Sequence, residues 1–144
     1  MTTTVEPGYV HHVEVHFDEL DPMGVLHNAR YALLFERALT AFWAGHGHTF
    51  ANGRPTTPDS FNVVRHASIT YHQPVRGVGE VAVHLWLAHL GESSGDYRFS
   101  LTSTDGAVTY AEGSRVVVKL DPQTLRPVPW SEPARAVAKT LLRE

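Results

Sequence analysis

Asp21 lies in the run D-P-M-G-V-L-H-N (21–28), just before a segment with helical spacing. Pro22 fixes its own φ and pushes Asp21 toward extended geometry, while Gly24 can take the left-handed conformation that bends the chain into a helix. The run allows two readings. One is an ordinary Asp-Pro turn whose carboxylate only caps a loop. The other is a carboxylate held beside the exposed N–H groups near Leu26 to Asn28, where a helix start leaves amides unpaired and gathers partial positive charge. Such a pair suits acyl transfer. The amides can polarise a carbonyl, and aspartates ordinarily ionise well below neutrality, so the carboxylate can attack it or take a proton from water without a histidine.

Other chemistries find little support. Ten histidines, among them His11-His12, His46-x-His48 and His66, raise a metal site, but no HExxH or comparable carboxylate-histidine pattern is present, and no metal or cofactor is expected. GxSxG is missing, Ser93-Ser94 falls in a stretch with hairpin composition, and the glycines lack phosphate-loop spacing. With no cysteine in the chain, disulfides, thiolate metal sites and cysteine nucleophiles are excluded together. Glu36 is a carboxylate in a mostly apolar helix, followed by Arg37; burial without a partner would be costly, so it belongs on the exposed stripe or in an ion pair, as a structural group.

The elements that must position Asp21 are legible from periodicity. Residues 9–17 alternate, with Val13, Val15 and Phe17 on one face, as a strand does. From about Asn28 to Gly45, Tyr31, Leu34, Phe35, Ala38 and Phe42 recur at helical spacing, with Asn28 as N-cap and Gly45 and Gly47 as the stop. Residues 47–60 read as loop. Four strand-like runs follow at 61–74, 80–90, 96–103 and 107–120, joined by the turn 91–95 and by Asp105-Gly106, a two-residue hairpin signal. Ser131 caps a short helix over 132–144. The order strand, long helix, four strands predicts an α+β domain with one antiparallel sheet packed on one helix. One helix cannot cover both faces and the edges of such a sheet, so association through a strand edge or sheet face is expected.

The 144 residues fit one domain over 1–144, with its core at about 9–121 and a C-terminal extension at 122–144. A net charge of -3 argues against nucleic acid as the main partner, and no apolar run is long enough for a bilayer. The start MTTTVEPGYV lacks the layout of a signal peptide, so a cytoplasmic protein is expected.

The run D-P-M-G-V-L-H-N-A-R-Y-A-L-L-F-E-R-A, with R-H-A-S-I-T-Y-H-Q-P-V-R-G-V-G-E-V and A-E-G-S-R-V-V-V-K-L-D downstream, resembles the hotdog-fold acyl-CoA thioesterases, in the branch that includes 4-hydroxybenzoyl-CoA thioesterase. The resemblance spans about residues 10–121. It implies a sheet wrapped around a long central helix and hydrolysis of an acyl thioester to acid and free thiol. By this likeness the catalytic aspartate falls on Asp21 and the amide that binds the thioester oxygen on or next to Asn28. Tyr31 and Glu36 match positions behind that pair. The family's site lies between the subunits of a homodimer or homotetramer. That implies His89, Gly91 and Ser93 near the pantetheine and Arg65, Arg76, Arg98 and Arg126 as partners for the phosphates. Phe42, Trp43, Phe61 and Trp86 are candidates to shape the acyl pocket. Many relatives carry histidine where this chain has Asn28. Two rivals share the fold: a thioesterase acting on an acyl carrier protein, and a module that binds acyl-CoA without cleaving it.

Overall fold

The computed structural model describes residues 6–143. Strand β1 (Tyr9–Val15) is followed by a short 3-10 turn at Phe17–Glu19, the Asp21 turn, a second 3-10 turn at Asn28–Arg30 and helix α1 (Tyr31–Ala44). A two-stranded hairpin, β2 (Phe50–Ala51) and β3 (Arg54–Pro55), lies within the segment expected to be loop. Then come β4 (Asn62–Tyr71), β5 (Gly79–Leu90), β6 (Ser94–Thr102), β7 (Thr109–Lys119) and helix α2 (Glu132–Lys139). The five long strands form one antiparallel sheet in the order β1-β5-β6-β7-β4.

Several boundaries differ from the sequence reading, each for a local reason. The first strand stops at Val15, and Phe17 is 82% exposed rather than inward, because the chain turns into the 3-10 segment there. Asn28 is not the N-cap: helix α1 begins three residues later, and His27 caps the preceding turn by accepting the Ala29 N–H at Nδ1, 3.1 Å away. Ser94 and Gly95 belong to β6, so the hairpin turn is shorter than 91–95. Asp105-Gly106 sits inside a longer connection between β6 and β7, where Asp105 Oδ1 accepts from Ala107 N–H and Ser103 Oγ–H. Ser131 does cap α2, accepting from the Ala134 amide, but α2 ends at Lys139 and Leu142 runs on to bridge Leu87 of β5.

The core lies between the helix stripe Tyr31, Leu34, Phe35, Ala38 and Phe42 and the inward faces of β5 and β6, where Val81, Val83, Leu85, Leu87, Tyr97, Phe99 and Leu101 are buried. Burying a side chain of this size contributes on the order of 1.5–3 kcal/mol. Phe35 stacks on Phe99 with centroids 4.5 Å apart. That approach depends on Gly113 in β7, where an added Cβ would stand 2.5 Å from the Ser68 carbonyl oxygen and 3.2 Å from the Phe35 ring. Helix α1 is covered on one face only; Leu33, Glu36, Arg37 and Thr40 remain exposed. The edge strand β4 is exposed on both faces along almost its whole length, Ile69 alone being half-buried.

Candidate functional site

The Asp21 turn is closed on itself. Leu20 bridges Leu26, the Asp21 N–H donates to the Val25 carbonyl at 2.8 Å, and Gly24 sits at φ +77° where its N–H reaches the Asp21 carbonyl at 2.9 Å. A left-handed residue is needed there, which is why glycine stands at 24. The closure holds Asp21 and Val25 together, with Leu26 to Asn28 following directly in the chain. Its Oδ1 accepts from the amides of Met23 at 2.8 Å and Val25 at 3.3 Å, as an Asx turn does. Among the described residues Oδ2 has no hydrogen-bond donor. The turn therefore uses one oxygen as a loop cap and leaves the other available. Asp21 itself is half-buried.

Asn28 opens the 3-10 turn, so its N–H has no acceptor earlier in that turn and finds none among the described residues. Its carbonyl accepts the Tyr71 hydroxyl at 3.1 Å, which ties the helix start to the end of β4. Tyr71 meets Tyr31 edge to face at 4.9 Å. Burial raises the Tyr31 hydroxyl above its ordinary value, the Val75 amide pulls it down, and Tyr71 and the charge of Asp21 add to the rise. Tyr31 is thus a neutral phenol within reach of the Asp21 charge. Arg76 also lies at this end, bridging Val25, with the next residue's N–H on the Gly24 carbonyl at 2.9 Å. The structure brings Asp21, Asn28, Tyr31 and Arg76 together.

Other sequence candidates lie elsewhere in the protomer. His89, Gly91 and Ser93 are at the opposite end of β5 from Gly79, and a 12-residue strand spans roughly 40 Å. Arg65 is exposed at the β4 bulge between Val64 and His66. Arg98 is held by Asp96 through bonds of 3.1 and 2.9 Å, and Arg126 is exposed in the loop after β7. Glu36 pairs with the buried Arg115 of β7. Trp43 lines a cavity; Phe42 belongs to the core instead, and Trp86 lies under the Arg143 guanidinium at 4.0 Å.

That cavity, about 430 Å³, does not touch Asp21. It lies between α1, the inward sheet face and α2, walled chiefly by Leu39, Trp43, Leu87, Tyr97, Val117 and Trp130. Its size falls within the roughly 300–1,000 Å³ of small-molecule pockets. Glu36, Asp59 and Asn62 stand at its polar side.

Four charged groups that matter here escaped the sequence reading. Glu19 is buried, accepts the His16 N–H at 3.0 Å, faces Arg37 of α1 at 3.4 Å and gives its carbonyl to His27 N–H, so it pins the segment on both sides of the Asp21 turn. Arg115 and Lys119 are cations on the inward side of β7, in step with Val117, and each meets a carboxylate: Glu36 and Asp59 respectively. The alternation R-V-V-V-K was the available signal.

The Thioesterase superfamily model matches residues 23–110, more than half of the chain. The chain belongs to the thioesterase superfamily. The match begins two residues after Asp21, so that residue lies just outside it. Solved structures agree on the fold of this thioesterase. A 1,4-dihydroxy-2-naphthoyl-CoA thioesterase from Synechocystis superposes with a TM-score of 0.79 at 12% identity, over 92% of this chain and 96% of that one. A DHNA-CoA thioesterase from Staphylococcus aureus gives 0.76 at 19% identity, over 92% and 89%. The PA2801 protein from Pseudomonas aeruginosa gives 0.75 at 27% identity, over 88% and 95%. None of the curated proteins matches the sequence. The thioesterase has the hotdog arrangement, a five-stranded antiparallel sheet packed on one long helix, and it is a thioester hydrolase. No described helix is long and apolar enough to cross a membrane, and no described cluster of three or more metal-ligating side chains is present.

Proposed function

We propose that this thioesterase hydrolyses an acyl-CoA to the free acid and CoA, with the untied Oδ2 of Asp21 as nucleophile or general base and the Asn28 N–H as the donor that takes up charge on the thioester oxygen. The observation that carries this reading is the division of labour at Asp21: Oδ1 holds the turn through Met23 and Val25, while Oδ2 has no donor and the Asn28 N–H, seven residues on, has no acceptor among the described residues. An amide already fixed in place stabilises the developing oxyanion without reorganising. Tyr31 and Tyr71 hold the helix start, and Arg76, whose backbone bridges Val25, is a cation at the turn for the CoA phosphates.

A second copy completes the site in this reading. β4 is an unpaired edge with exposed Val63, Val64 and Tyr71. Antiparallel pairing of two such edges about a two-fold axis sets the Asn62 end of one strand beside the Tyr71 end of the other. Asn62 lies at the cavity and Tyr71 at Asn28, so the cavity of one protomer faces the Asp21 turn of its partner. The same pairing can bring the partner's β5-β6 hairpin, with Gly91 and Ser93, into play for the pantetheine.

A carrier-protein thioester is the second reading, favoured by the apolar Met23 and Val78, 81% and 61% exposed, near the Asp21 turn. Free-thiol release by wild type and Asp21→Asn, with the same acyl groups on CoA and on a phosphopantetheinylated carrier protein, tests both. Release from CoA that depends on Asp21 supports the first reading, release from the carrier alone supports the second, and binding without release from either would make the protein an acyl-CoA sensor.

A further inference from the structure

The Tyr97 hydroxyl is buried against the cavity, with the residue only 6% exposed, and is half-used. It accepts the Trp43 Nε1–H at 2.9 Å, and among the described residues its own proton has no acceptor. A phenol can both donate and accept, and the Trp43 bond uses only the oxygen, which leaves the O–H free to donate. Burial pushes Tyr97 far up from its ordinary value, with the Trp43 bond only partly offsetting it, so the group stays a neutral donor at working pH. The surroundings restrict what it can meet. The wall carries no lysine or arginine, and its two carboxylates, Glu36 and Asp59, are already engaged by Arg115 and Lys119. His48 is the wall's remaining ionisable group and is tied through Nδ1 to the Thr57 hydroxyl, so a charged acyl terminus would find no lysine or arginine to pair with. Gly95 opens the floor, where a Cβ would stand 3.4 Å from Leu87, and the small Ala134 and Ala138 of α2 form the opposite wall.

We propose that this cavity is the acyl site and that it selects an uncharged, mostly apolar acyl group carrying one oxygen acceptor, a ketone or hydroxyl, which takes the Tyr97 O–H. The selection rests on the hydrolytic reading above, although binding in the cavity does not. Trp43 fixes the direction of the donor by occupying the phenol oxygen, so the acceptor must lie at one depth in the cavity rather than anywhere along the chain.

The test uses quenching of the tryptophan fluorescence, since Trp43 and Trp130 line the cavity, by ten-carbon acids with a ketone moved along the chain, against decanoic acid. Thiol release from the matching CoA thioesters is measured alongside. At one ketone position wild type is expected to bind and turn over the oxo compound about 3- to 10-fold better than the plain one, the scale of one net hydrogen bond. Tyr97→Phe should bring that ratio to about one. Ala138→Leu, which adds volume to the α2 wall and leaves both partners of the Tyr97–Trp43 bond in place, should weaken both members alike. No preference in wild type at any ketone position, a preference that survives Tyr97→Phe, or binding indifferent to Ala138→Leu would each overturn the proposal. Tyr97-dependent binding of the oxo acid without thiol release would overturn the hydrolytic reading and leave the acyl site standing.

Discussion

Lys119 Nζ donates to Asp59 Oδ1 at 2.9 Å, and both side chains are almost fully buried, 9% and 6% exposed. Ser131 adds its amide at 2.9 Å and its hydroxyl at 2.6 Å to the same carboxylate, so one anion joins β7, the segment before β4 and the cap of α2. Burial alone would raise Asp59, but Ser131 and Lys119 together outweigh it and hold the group below the usual carboxylate range. Removing one partner of such a pair leaves an uncompensated buried charge. Asp59→Asn is expected to lose about 3–5 kcal/mol in urea unfolding. The double variant Asp59→Asn with Lys119→Met should recover part of it.

Gly113 admits no side chain. The Ser68 carbonyl oxygen, 2.5 Å from a built Cβ, is backbone in the neighbouring strand and cannot swing away. Gly113→Ala should cost about 1–3 kcal/mol of stability, the scale of overpacking. Thermal unfolding followed by circular dichroism reads it directly.

His84 is held below its ordinary value of 6.5, first by burial, then by the positive charge of Arg143 and by His12. Above 6.5 the imidazole is neutral folded and unfolded alike. As pH falls through that value the unfolded chain takes the proton first, so stability drops until the folded group also titrates. Midpoints in urea at pH 7.5 and 5.5 should show this loss, and His84→Gln should reduce it.

Pairing of β4 edges predicts a dimer by analytical ultracentrifugation. Ala67, opposite Arg115 of β7 and exposed near the middle of β4, lies close to the two-fold axis of that pairing. Ala67→Asp sets like charges against each other there and should yield monomers with little thiol-releasing activity. A monomeric wild type, or an active monomeric variant, would count against the shared site.

The sheet and helix were readable because both periodicities are strong: Val81, Val83, Leu85 and Leu87, and Tyr31, Leu34, Phe35, Ala38 and Phe42, all face the core as their spacing requires. The Asp21 turn was readable because proline and glycine restrict the backbone at known positions. What stayed hidden was pairwise. Nothing local says that Arg115 meets Glu36 or that Lys119 meets Asp59, since each pair joins residues far apart in sequence. The 3-10 turn before α1 was hidden too. Asn28 has the better cap chemistry by type, but the turn selects His27, whose ring nitrogen reaches the Ala29 amide. The cavity depends on α2 closing against the sheet through Trp130, Ala134 and Ala138, a tertiary contact that helix propensity does not encode.

The most direct measurement is kcat for thiol release from the best acyl-CoA by wild type and Asp21→Asn, which keeps the Oδ1 bonds to Met23 and Val25 while removing the charge. A fall of at least about 100-fold is expected, the scale of losing a positioned proton-transfer group or nucleophile. A variant that folds and turns over at near wild-type rate would contradict the assignment of the chemistry to Asp21.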